Sequence, residues 1–326
     1  MIQPSKKKKG FNIMTASRKT FTFIGLAFII AYAVIFAFSK FVFMPLLLNI
    51  GPETLLATLG PSLTLLLTDV PNVIFLLVFW LVIRRIPKSG WQAETMSFKS
   101  LFQVFVMMYA VSTVLNLIGT ALSKAAPAGG TQQLDMITTM VSSGVPAGIM
   151  ITVIIAPVVE ELIFRKLMLD RIRNYGEKTA IVFSALCFGL FHGNLTQFLY
   201  AFSVGLFLGY VYCKTGKVLY TMIMHALLNL FSSVIMILLP LVNAGPLGIV
   251  TVSVLALMVA AMFVMGFVQL ISHLRKKDLR LDNTMMTAIP GGEVVKTVYL
   301  NPCVMVFMLY CAAMIVTGLL NISLFQ

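Results

Sequence analysis

Apolar runs of about 20 residues alternate with short polar stretches along most of the chain, from residue 21 to about 323. Such a run spans ~30 Å of hydrocarbon as an α-helix. Backbone groups in lipid must be satisfied within the segment, so each run predicts a helix rather than a strand of an open sheet. The short alternating segments of a membrane β-barrel are absent. Predicted spans cover 21–39, 62–83, 101–122, 145–165, 179–192, 195–213, 218–241, 246–272 and 302–323. Residues 41–59 are apolar but broken by Pro45, Gly51 and Pro52, which predicts an interfacial or re-entrant piece. The expected fold class is an all-α polytopic membrane protein with about 8–9 transmembrane helices.

Charge orients these spans. With the N-terminus inside, the basic clusters Arg84-Arg85-Lys88, Arg165 to Lys178, Lys214-Lys217 and Arg275 to Arg280 all fall on cytoplasmic connections. The opposite connections are nearly free of Lys and Arg; 123–144 contains only Lys124. The chain divides into a basic cytoplasmic N-terminus (1–20), N-terminal helices (21–140), a helical core (141–240), and C-terminal helices (241–326) with a cytoplasmic loop at 273–301. The first run is too long for a typical signal-peptide core and predicts a retained helix. Composition agrees: 59% of the 326 residues are hydrophobic, 11% are charged, and mean hydropathy is +0.97. The net charge of +13 lies at helix ends, which marks topology determinants and argues against a nucleic-acid partner.

Against this background Glu160 and Glu161 stand out, adjacent carboxylates at the end of an apolar run with Arg165 four residues on. A carboxylate in hydrocarbon costs several kcal/mol, and two side by side repel. Glu161 and Arg165 share a helix face and can pair. Glu160 points about 100° away and has no basic residue at i+3 or i+4, which leaves it free for chemistry. Pro157, one turn earlier, removes a backbone hydrogen bond and predicts a kink toward a cavity. At 1.5 Å per residue, Glu160 lies ~15 Å inside the cytoplasmic boundary, His225 ~12 Å, Asn229 ~18 Å and His192 ~21 Å. Three helices thus carry polar groups to one layer. His225 and Asn229 are i,i+4 and project into the same volume, and Gly205 and Gly209 form a small-residue stripe suited to close packing beside it.

Other polar groups read as structural. His273 borders a basic cytoplasmic cluster and reads as solvated. Asp69 is a buried acid before Val70-Pro71 and reads as a helix-break or packing feature, with a role in a substrate path as its alternative. Cys187, Cys213, Cys303 and Cys311 lack CxxC spacing and read as small packing residues.

Three ordered motifs resemble the CPBP family of intramembrane endopeptidases, which includes the CAAX prenyl endopeptidases and bacterial Abi-type and bacteriocin-processing or self-immunity proteins. They are EExxxR (Glu160, Glu161, Arg165), FxxxH (Phe188 to His192) and HxxxN (His225 to Asn229). Phe202, Gly205, Gly209 and Thr215-Gly216 match the glycine-bearing helix and turn between them. The resemblance covers about 145–235, and every polar motif position is filled. It implies an intramembrane catalytic helix bundle that hydrolyses a peptide bond in a membrane-tethered protein or peptide, near the cytoplasmic side of a prokaryotic plasma membrane.

In that chemistry Glu160 is the general base, and His192 helps to hold and polarise the attacking water. His225 and Asn229 donate to the oxyanion, while Glu161 and Arg165 support the helix and orient Glu160. A glutamate-activated water needs no cofactor. The alternative is a divalent metal such as zinc on Glu160, His192 and His225, although no HExxH element is present. Two other classes compete with the enzyme: a non-enzymatic immunity or regulatory membrane protein of the same fold, and a proton-coupled transporter using the buried acids as relays. Oligomeric state leaves no signal in the sequence.

Overall fold

The computed structural model describes residues 6–51, 54, 67, 69–90, 94–127, 149–277 and 288–322, with side chains omitted at 6–13 and 47. Among the described residues every regular element is helical. The chain is an integral membrane protein in which six helical stretches are long and apolar enough to cross a membrane. They run Met14–Ile50, Phe98–Ala125, Leu195–Thr215, Val218–Asn243, Pro246–Lys276 and Pro302–Leu320. A shorter apolar helix, Val70–Ile83, corresponds to the predicted span 62–83, whose beginning lies mostly outside the described residues.

In chain order the helices that matter are α1 (Lys6–Phe38), α2 (Met44–Ile50), α3 (Val70–Ile83) and α4 (Phe98–Ala125). A segmented helix follows, with π turns at Met150–Ile155, α5 (Ala156–Glu161), further π turns at Leu162–Leu169, α6 (Asp170–Ile172) and a final 3-10 turn at Arg173–Tyr175. Then come α7 (Glu177–Phe191), α8 (Leu195–Thr215), α9 (Val218–Leu238), α10 (Pro246–Lys276), α11 (Gly291–Val294) and α12 (Pro302–Leu320). Helix α1 packs between α3 and α12; α8 packs between α7 and α4; and α10 lies on α4. The segmented helix is held by α3, α7 and α9.

Two boundaries differ from the sequence expectation. Residues 41–50 do not leave the first helix, because π turns at Ser39–Phe43 join α1 to α2. Pro45 lacks the amide and its ring crowds the carbonyl one turn back; the wider turn absorbs both without ending the helix. The loop assigned to 273–301 is partly helical, since α10 extends to Lys276 and helical turns resume over Gly291–Tyr299; residues 278–287 lie outside the described set.

Packing around the core depends on small residues. A Cβ on Gly205 would stand 2.8 Å from the Ala185 Cα and 3.3 Å from the Phe188 ring, and one on Gly209 would stand 3.2 Å from Ile181. The stripe lets α8 press its backbone onto α7, as small-residue faces do in membranes. Aromatic contacts fill the space behind it. The Phe164 ring meets Phe188 at 5.1 Å and Phe191 at 5.5 Å, while Phe28 stacks on Phe307 at 4.1 Å.

At the end of the bundle where the segmented helix meets α7, charged groups are buried and paired rather than solvated. Arg173 donates to Glu177 through Nε (3.1 Å) and Nη2 (2.6 Å), with Lys214 3.7 Å from the other carboxylate oxygen. Tyr212 donates to Asp170 (2.6 Å), and Arg171 donates to the carbonyls of Ile83 (2.9 Å) and Leu167 (2.7 Å). Hydrophobic pattern alone reads these cations as loop charges. Here they tie α3, the segmented helix, α7 and α8 into one frame.

Candidate active site

The site grows from the segmented helix. Pro157 cannot donate a backbone hydrogen bond, and the turns before it widen to π geometry over Met150–Ile155. A second π stretch begins directly after Glu161. The two glutamates therefore sit on a six-residue α segment between widened turns, a local irregularity common at functional positions.

The two carboxylates differ in environment. Glu161 has a side chain 0% exposed, and its Oε2 lies 3.1 Å from Arg165 Nε, itself 0% exposed. Its other oxygen, Oε1, lies 3.0 Å from His225 Nδ1. A carboxylate flanked by a guanidinium and an imidazole is fully engaged. The Arg165–Glu161 approach is an ion contact without hydrogen-bond alignment, and Nη1 and Nη2 of Arg165 have no acceptor among the described residues. The guanidinium instead lies over the Phe188 ring, 4.8 Å from its centroid, where the π face stabilises a desolvated cation. Glu160 has a side chain 16% exposed, and its closest ionic contact is His225 Nε2 at 3.7 Å, longer than a hydrogen bond.

His225, on α9, thus bridges both acids, with Nδ1 committed to Glu161 and Nε2 turned toward Glu160. A carboxylate can only accept, so Nδ1 carries a proton and donates it to Glu161. One turn along α9, Asn229 donates from Nδ2 to the Thr152 carbonyl at 2.8 Å, in the π stretch before Glu160, and its Oδ1 accepts from the Tyr200 hydroxyl at 3.5 Å. His192 caps the C-terminal end of α7, where Nδ1 donates to the Phe188 carbonyl at 2.9 Å; in the neutral ring Nε2 is then an acceptor. His192 lies beyond 4 Å of any carboxylate among the described residues. It is linked to the cluster through Phe188, whose ring meets His192 edge-on at 5.1 Å and His225 at 5.7 Å.

Glu160, His225, Glu161 and Arg165 therefore form a chain of contacts in that order, Asn229 adjoins it through Thr152, and His192 stands across the Phe188 ring. Among the described residues no three His, Cys, Asp or Glu side chains form a group able to hold a metal ion. Of the three sequence-predicted ligands, Glu160 faces His225 Nε2 at 3.7 Å, while His192 stands apart across the Phe188 ring; Nδ1 of each imidazole serves a protein oxygen. Tyr200 and Thr152 were not anticipated. Tyr200 lies within electrostatic reach of Glu160 and touches Asn229. Its only sequence signal is a hydroxyl-bearing ring within an apolar span.

A membrane-embedded helix bundle that buries paired carboxylates against an imidazole defines a protein with a polar site sealed inside lipid-facing walls. Comparison with known proteins shows what the chain is similar to. Residues 142–231 match the family described as type II CAAX prenyl endopeptidase Rce1-like. A Bacillus subtilis (strain 168) protein named "Putative membrane peptidase YdiL" is 26% identical over 222 residues, covering 63% of this chain and 86% of that protein. No solved structure matches the chain. The matched segment contains Glu160, Glu161, Arg165, His192, His225 and Asn229. Together the two matches support a membrane endopeptidase of the CPBP family, a peptidase and hence a hydrolase.

Proposed function

We propose that this chain hydrolyses a peptide bond in a membrane-tethered protein or peptide, with Glu160 activating the attacking water. The observation that carries the reading is the asymmetry of the acid pair. Glu161 is sealed and engaged by Arg165 and His225, whereas Glu160 keeps some exposure and only a loose contact. A general base must reach water and still accept its proton, which Glu160 can do and Glu161 cannot.

The other groups take roles that follow from their geometry. His192, fixed by its bond to the Phe188 carbonyl, offers Nε2 to the water and helps to polarise it. Glu161 locks the His225 ring, so that Nε2, when protonated, is aimed at the volume beside Glu160 where an oxyanion develops. Asn229 is held on the same side, and its amide can exchange the Thr152 carbonyl for the oxyanion. The proton taken by Glu160 passes to the leaving amine as the tetrahedral intermediate collapses. A glutamate-activated water needs no metal, and no step here runs through one. We read the N-terminus as cytoplasmic in a prokaryotic plasma membrane, with the scissile bond presented near that face and no nucleic acid involved.

The substrate class is tested by comparing the termini of membrane proteins in cells carrying wild type or Glu160→Gln. Uncleaved precursors, bearing leaders or C-terminal extensions, should accumulate only with Glu160→Gln. Identical termini together with an intact cellular phenotype would favour a non-enzymatic immunity or regulatory role.

A further inference from the structure

A cavity of about 570 Å³ lies away from the acid–histidine cluster, between the Ala16 to Phe23 stretch of α1 and the C-terminal end of α3 with the residues that follow it. Lys19, Arg84 and Arg85 line it, and no acidic side chain does. Among the described residues none of these three cations makes an ion pair. Three unneutralised cations around one concavity attract a multiply accepting anion, and Arg in particular matches phosphate.

The rest of the wall says where that anion comes from. Phe23, Leu81 and Val82 continue the cavity along the apolar faces of α1 and α3. The surface is therefore cationic toward the basic end of the bundle and apolar toward the membrane interior, over a volume ordinary for a small-molecule site. A soluble phosphate would satisfy only the first half. Its inner side is closed by a hydroxyl pair, Thr20 and Tyr175, at 3.0 Å. Tyr175 ends the helix that carries Glu160, so an occupant touches both α1 and the catalytic segment.

We propose that this cavity binds an anionic phospholipid of the cytoplasmic leaflet, with its phosphate between Lys19, Arg84 and Arg85 and its acyl chains along Phe23 and Leu81. The leaflet that basic helix ends face is the one rich in anionic lipid. The bound lipid cross-links α1, α3 and the cytoplasmic end of the segmented helix. This site is independent of the peptidase reading.

Trp80 reports on it, because its ring lies 5.6 Å from the Arg84 guanidinium. The chain has two tryptophans, so Trp91→Phe leaves Trp80 as the sole emitter. In neutral detergent, phosphatidylglycerol with brominated acyl chains should quench Trp80 saturably and at a lower mole fraction than brominated phosphatidylcholine of the same chains. Lys19→Gln and Arg85→Gln should each weaken the phosphatidylglycerol effect about fivefold, while Lys276→Gln, on α10, should not. Equal half-saturation by the two lipids would overturn the proposal without any variant at the cavity. Unchanged quenching in the double variant Lys19→Gln/Arg85→Gln, with wild-type circular dichroism, would overturn it as well. Displacement of the lipid by glycerol phosphate at equal concentration would assign the cations to a soluble phosphate compound and overturn the lipid assignment.

Discussion

Arg165 is the residue whose replacement tests the site's electrostatics most sharply. It is fully buried, 3.1 Å from a fully buried carboxylate and 4.8 Å above the Phe188 ring. Arg165→Met keeps an unbranched chain in the slot but leaves Glu161 without its cation, held by His225 and the Thr221 hydroxyl. Breaking a buried ion pair from one side costs about 3–5 kcal/mol. Loss of the ring contact adds up to about 2 kcal/mol, partly offset by thioether packing on Phe188. The double variant Glu161→Gln/Arg165→Met removes both charges, and the new amide oxygen still accepts from His225 Nδ1. Replacing a buried pair with neutral groups is near neutral in stability, so the double variant should recover about 3 kcal/mol relative to additivity. Reversible unfolding in mixed micelles, followed by circular dichroism for wild type, both single variants and the double variant, gives that coupling directly. Arg165→Met within about 1 kcal/mol of wild type, or single-variant costs that simply add, would refute the reasoning.

Other expectations test the frame around the site. Gly205→Leu must push α8 off the Ala185 backbone, where even a Cβ would approach to 2.8 Å, and should cost about 1–3 kcal/mol in the same unfolding assay. Tyr212→Phe removes the 2.6 Å bond to Asp170 and should cost about 1–3 kcal/mol, with cleavage unchanged below the melting transition. Pro157→Ala restores a backbone donor beside the π turns; it should leave stability unchanged or raised while slowing cleavage up to about 100-fold, because the carboxylates shift relative to α9.

Much of the fold was legible because lipid imposes length and apolarity on each span. Phe98–Ala125, Leu195–Thr215 and Pro302–Leu320 fall where hydropathy places them. The first helix was misjudged at Pro45, since a proline reads as a break when the widened turn that absorbs it has no sequence signature. At the site, depth along three helices could be counted from their cytoplasmic ends, and Glu160, Glu161 and His225 do meet. Rotation about each helix axis could not be counted. Whether His225 bonds Glu161 or faces open space depends on how α9 rolls against the segmented helix, which the π turns set. For the same reason Tyr200, two turns into an apolar helix, gave no sign that it reaches Asn229.

Hydrolysis by Glu160 is tested most directly with the purified protein in proteoliposomes, by mass spectrometry of the fragments released from a membrane-tethered peptide. Wild type should cleave at a defined bond, and Glu160→Gln should be inactive while folding and melting as wild type does. Undiminished cleavage by Glu160→Gln would contradict the assignment of the base.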